Sequence, residues 1–175
     1  MCKTGNQKGF SVTEFVILSA LLMILGFALM GGMFNAIDTA KQKKSMANLQ
    51  EWTTALNAYY SDYNFYPKSN PLWNVPVGPG EIVYETLRQK RYLDNPIFLD
   101  GWNYNLWYGA SIPMAQKYTM SSFGKGHTSD AAAVIYFRCF QCDIIISNGV
   151  FIAQPAHARQ EDSANGIDCP QSECQ

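Results

Sequence analysis

The sequence predicts an α+β fold in which one long N-terminal helix, apolar in its first half and amphipathic in its second, packs on a small antiparallel β-sheet. Three observations carry that expectation. From Phe15 to Phe34 no side chain bears a formal charge. Met46, Leu49, Trp52, Leu56, Tyr59, Tyr60 and Tyr63 then recur at three- and four-residue steps with polar residues between them. From Tyr104 onward the chain breaks into short apolar or alternating runs divided by glycine-rich punctuation.

Taken in order, residues 1–9 are short, polar and basic, and 10–34 hold the apolar run. At roughly 1.5 Å rise per residue, Phe15 to Phe34 covers about 30 Å, the hydrocarbon thickness of a bilayer. Residues 35–66 read as the amphipathic second half, so that one helix runs from near Phe10 to about Asp62, with Asn64 and Pro67 as stop signals. A head follows over 67–154. Pro67, Pro71, Pro76 and Pro79, with Gly78 and Gly80, predict a loop that joins neither neighbouring element. A shorter helix is expected from Glu81 to Arg91, with Ile82, Val83, Leu87 and Leu93 facing the long helix and Asn95-Pro96 closing it. Strands are expected at Tyr104–Tyr108, Tyr118–Ser122, Val134–Arg138, Ile144–Ser147 and Val150–Ile152, with turns at Gly109, Gly124, Gly126 and the hairpin pair Asn148-Gly149. The polar tail 155–175 would read as disordered but for Cys169 and Cys174.

Composition fits one modest globular domain plus one strongly apolar segment: 175 residues, 47% hydrophobic and 15% charged. Removing Lys3 and Lys8 with residues 1–9 leaves 11 of the 13 basic residues against 14 acidic ones, a balance of −3 that argues against a nucleic-acid partner. It also leaves an even number of cysteines, Cys139, Cys142, Cys169 and Cys174. In an exported domain these favour a disulfide framework with three pairings open. Cys139 and Cys142 have the spacing of a redox or zinc half-site, but the second pair is loosely spaced for zinc and no histidine follows Cys142 for haem attachment. No cofactor is expected. His127 and His157 are isolated. No nucleophile has a plausible base, no loop pairs carboxylates, and no glycine motif suits a phosphate, so a non-enzymatic role is expected.

Lys8-Gly9-Phe10-Ser11-Val12-Thr13-Glu14, followed at once by the apolar run, resembles the prepilin-type signal of type IV pilin-like proteins. The resemblance implies the type IV pilin-like fold, cleavage between Gly9 and Phe10 by a prepilin peptidase, and N-methylation of Phe10. Unlike an ordinary secretory signal, whose cleavage site follows its apolar stretch, this one retains the stretch. It further implies a single-pass bacterial inner-membrane protein with its head outside the cytoplasm. Its partners would be lipid, an assembly platform, and copies of itself and other pilins in a filament. An ionised Glu14 at full bilayer depth costs on the order of 2.5–3.5 kcal/mol and needs a partner; the resemblance supplies one, the new amino group of a neighbouring Phe10. Lys3 and Lys8 before the run and Lys41, Lys43 and Lys44 after it leave the charge-based orientation undecided. Gly31 and Gly32 stand near the place where many members carry a helix-breaking proline.

Leu56 to Pro67, ending on Tyr66-Pro67, is similar to the end of the long helix in major pseudopilins of type II secretion. Arg91-Tyr92-Leu93 and Asp100-Gly101-Trp102-Asn103-Tyr104 also resemble that branch, with Gly101 where proline is usual, as do Tyr118–Gly126 and Asp143–Gly149. Filament subunit of a secretion pseudopilus is therefore the leading expectation. A minor pilin for adhesion or DNA uptake, or a monomeric anchored binding protein, are the alternatives. Those pseudopilins bind calcium through an aspartate-rich loop, where this chain offers Lys125, His127, Thr128, Ser129 and Asp130. A calcium ion needs six to eight oxygen ligands, so no family-type calcium site is expected. The segment between Asp130 and Asp143 brings Cys139 and Cys142, and disulfides in place of the metal are the expected clamp of the loop.

Overall fold

The computed structural model of the protein describes residues 10–69, 75–111, 115–128, 136–137 and 140–155, without the side chains of 28–32 and 136–137. Gly9, Cys139, His157, Cys169 and Cys174 lie outside the described residues. The chain divides into two compact units, Met1–Ile37 and Asp38–Gln175.

Helix α1 runs without interruption over Val12–Tyr63, 52 residues. Asn64 ends it in the left-handed conformation that asparagine tolerates best after glycine, at φ 60°. In the first unit the described apolar side chains from Phe10 to Phe27 are exposed. Among the described residues no helix is long and apolar enough to cross a membrane; the run expected to do so includes residues 28–32.

In the second unit α1 buries a stripe at three- and four-residue steps: Asp38, Gln42, Ser45, Leu49, Trp52, Leu56 and Tyr59. Leu49, Trp52 and Leu56 share one core with Val83 and Leu87 of α2 (Ile82–Gln89) and with Tyr108, Tyr118, Met120, Ile144 and Ile146 of the sheet. Each such aliphatic side chain contributes about 1.5–3 kcal/mol by leaving water. The antiparallel sheet has the order β1 (Val75–Pro76), β2 (Trp107–Ala110), β3 (Tyr118–Ser122), β5 (Ile144–Ser147), β6 (Val150–Pro155). A two-residue β4 (Tyr136–Phe137) lies parallel to the end of β6. Alternation decides the faces: Ile144 and Ile146 are buried, Ile145 and Ser147 half-buried. Asn148 and Gly149, at φ 48° and 87°, make the tight turn between β5 and β6.

Several expectations need correction. The proline-rich stretch does join the sheet: Val75 and Pro76 pair with Tyr108 and Trp107, and the Val77 amide donates to Leu106 O at 2.6 Å. β1 is an edge strand, where a proline without an N–H is tolerated. α2 stops at Gln89, well before Asn95-Pro96, because Arg91 turns to φ 62° and the Tyr92 amide returns to Leu87 O at 2.9 Å. Ile82 is exposed, and Tyr84 takes the buried place expected of it. β2 starts three residues later than Tyr104 and contains Gly109, which is therefore no turn. Gly124 and Gly126 fall in one 3-10 turn, Gly124–Gly126. Of the expected strand Val134–Arg138, Tyr136–Phe137 is strand and the other three residues lie outside the described ones.

Candidate assembly site

Phe10 to Glu14 open the helix. Ser11 is its N-cap by position, and Glu14 reaches back so that its carboxylate accepts the Ser11 backbone N–H at 2.9 Å. This is one arm of a capping box, the pattern Ser-x-x-Glu. The Ser11 hydroxyl is engaged with Thr13 Oγ1 at 2.8 Å, and Phe15 N–H closes the first turn on Ser11 O at 3.2 Å. Glu14 thus answers the positive end of its own helix, worth roughly 0.3–1 kcal/mol at an exposed terminus. Beside the neighbouring amine expected for it, Glu14 has this local partner three residues before it. Phe10 is 69% exposed, open to solvent on the carboxyl side of the expected cut. Exposed apolar side chains continue all round the helix from Val12 to Phe27, a surface that calls for lipid or packed protein.

The second unit grips α1 through polar contacts. Trp52 Nε1 donates to Ile97 O at 2.7 Å, Asn48 Nδ2 to Leu99 O at 2.8 Å, and Gly101 N to Ser45 Oγ at 2.9 Å. Gly101 lies so close to α1 that an added Cβ would stand 2.1 Å from Lys41 O. This accounts for glycine at position 101, where proline is usual in the branch that the segment resembles. Asp100, with no exposed surface, organises the turn: Oδ1 accepts the amides of Trp102 (2.8 Å) and Tyr104 (2.9 Å), and Oδ2 accepts the Ser122 hydroxyl at 2.8 Å. Tyr66-Pro67 serves a similar end, since Tyr108 donates its hydroxyl to Pro67 O at 2.6 Å while burial pushes that phenol's pKa up.

Lys125 Nζ meets Asp38 Oδ2 at 2.9 Å, across 87 residues of sequence. The lysine hydrogen bond is the main cause that lowers the Asp38 pKa below its ordinary value of 3.8. The ammonium group of Lys125 thus sits where a cation would need a carboxylate. Of the loop, Ser129 and Asp130 lie outside the described residues, and among the described residues no group of three or more His, Cys, Asp or Glu side chains could hold a metal. A depressed carboxylate pKa stabilises above its unfolded value and loses that contribution as pH falls through the folded one. Asp38→Asn is therefore expected to cost about 0.5–1 kcal/mol at pH 7, with the gap from wild type closing below about pH 4. Urea unfolding at the two pH values measures it.

The 3-10 turn is held from its other side as well. Lys125 N donates to Phe140 O at 2.8 Å, and a Cβ on Gly124 would press within 2.7 Å of Cys142 O. Cys142 is disulfide-bonded, and its partner is outside the described residues. His127 is exposed and stacks on Tyr104, with ring centroids 3.9 Å apart.

A helix left apolar and exposed at one end and clamped on a small antiparallel sheet at the other defines a pilin-like structural subunit. Comparison with family models matches residues 32–134 to the family described as type II secretion system (T2SS), protein G. The match covers more than half of the chain, and the chain belongs to that family as a pseudopilin of type II secretion. No curated protein and no solved structure matches it. The matched segment begins at Gly32 and ends at Val134, so neither Gly9–Glu14 nor the four later cysteines contribute to the assignment.

Proposed function

We infer that the chain is a non-enzymatic subunit stored in the inner membrane after cleavage between Gly9 and Phe10, methylated at Phe10, and drawn by an assembly platform into a filament of like copies. The observation that carries this reading is the exposed apolar helix headed by Glu14. Cleavage creates the cation that Glu14 is placed to receive. In the free subunit the carboxylate rests on Ser11 N–H; on assembly it exchanges that neutral donor for a neighbour's amine, a stronger charge-assisted partner. Cys142 and its disulfide partner, with the remaining cysteines paired in an oxidising compartment, support the loop that relatives clamp with metal.

Co-expression with a prepilin peptidase followed by mass spectrometry of the amino terminus should show a mature chain starting at methylated Phe10. A chain retaining Met1 overturns the reading. Glu14→Ala should leave cleavage intact while crosslinked oligomers fall on the order of tenfold to a hundredfold, the equivalent of a lost charged hydrogen bond. Unchanged crosslinking would remove the role given to Glu14.

A further inference from the structure

We propose that the second unit carries a docking surface for anionic lipid headgroups, built where its part of α1 begins; this rests on the membrane-stored subunit described above. Three chain segments meet there. Lys41, Lys43 and Lys44 lie within one turn of helix, an axial spread of about 4.5 Å, with Lys43 and Lys44 exposed and Lys41 half-buried. The close approach of Gly101 to Lys41 O seats Trp102 and Tyr104 beside that turn, both half-buried. Lys125, half-exposed, is fastened to the same turn through Asp38.

The charge arithmetic favours an anion. Asp38 is matched by Lys125, and Asp100 is sealed beneath the surface by three donors. The charge of Lys41, Lys43 and Lys44 is left over. The chain as a whole is acidic, so this basic collar is a local feature. Its place in the chain selects lipid over protein as the source of the anion. Exposed apolar residues Met33, Phe34 and Ile37 directly precede it, and lysines with half-buried tryptophan and tyrosine rings just beyond an apolar stretch are the composition that suits the headgroup layer. Each lysine near an anionic membrane surface is worth on the order of fivefold in association.

The test is acetylation of lysines in the full mature chain held in nanodiscs, read by mass spectrometry. Phosphatidylcholine discs are compared with discs containing phosphatidylglycerol. Lys41, Lys43 and Lys44 are expected to react about fivefold more slowly in the anionic discs, with the protection lost in 1 M salt, where the Debye length is about 3 Å. Lys68, Lys90 and Lys117, exposed elsewhere on the second unit, should react alike in both. Equal rates at the collar in the two lipids would overturn the headgroup surface while leaving membrane storage intact. Failure of the chain to enter discs of either lipid would overturn both readings. Protection that follows the number of chains per disc rather than lipid charge would assign the lysines to a neighbouring copy and likewise overturn the proposal.

Discussion

Gly101→Ala is expected to destabilise the second unit by about 3–5 kcal/mol, the range of severe core substitutions. The new methyl would stand 2.1 Å from the Lys41 carbonyl oxygen, 2.6 Å from its carbon and 2.8 Å from its Cα. All three are backbone atoms of a continuous helix, so no side chain can swing aside. Either α1 or the turn must shift, and a shift strains together the hydrogen bond that Ser45 accepts from Gly101 N–H and those that Asn48 and Trp52 donate. Gly26→Ala provides the contrast. Nothing lies within 4 Å of its added Cβ, and alanine for glycine in a helix favours the helix by about 1 kcal/mol. Thermal melting of both variants, with cleavage at Gly9 as a separate readout, should show a large fall for the first and none for the second.

The second large effect is at Asp100. Asp100→Ala would leave the amides of Trp102 and Tyr104 and the Ser122 hydroxyl without their acceptor. Orphaned buried donors cost about 1–3 kcal/mol each when nothing relaxes, and loss of a buried charged partner about 3–5 kcal/mol in all. Asp100→Asn keeps one oxygen for the two amides and turns its amino group toward Ser122, so about 1–3 kcal/mol is expected. Ser122→Ala removes the hydrogen bond to Asp100 and the longer one accepted from Gly124 N–H at 3.4 Å, about 1–2 kcal/mol. Urea midpoints should therefore order as Ala below Asn at position 100, with Ser122→Ala nearest wild type. An Asn variant as unstable as the Ala variant would show that the charge, rather than the acceptor geometry, holds the turn.

What the sequence made legible was whatever depends on near neighbours. The apolar steps from Leu49 to Tyr59, the alternation of Ile144 to Ser147 and the Asn148-Gly149 pair each state a local preference that tertiary packing does not oppose, and β3 and β5 have the bounds expected of them. The polar half of the same helix face was hidden. Gln42, Ser45 and Asn48 are buried, yet for Ser45 and Asn48 the partners are backbone groups 56 and 51 residues away. Periodicity of apolar residues cannot register such contacts. The same holds for Asp38 and Lys125. β1 was missed for a different reason: Pro76 argues against a strand unless the strand is known to sit at an edge, and only the pairing with β2 reveals that. The Ser11–Glu14 contact is legible as a capping pattern, Ser-x-x-Glu, set against a charge that an apolar setting also drives toward a partner outside the chain.

The ion pair between Asp38 and Lys125 has a consequence for synthesis on the ribosome. At roughly 5–20 residues per second, the 87 residues between them take about 4–17 seconds to make. Throughout that interval the nascent chain holds Asp38 without its cation, although the Leu99 carbonyl and Gly101 amide that engage Asn48 and Ser45 are made before Lys125. Asp38 therefore stays in water until Lys125 arrives, well after its own turn of α1 has been made.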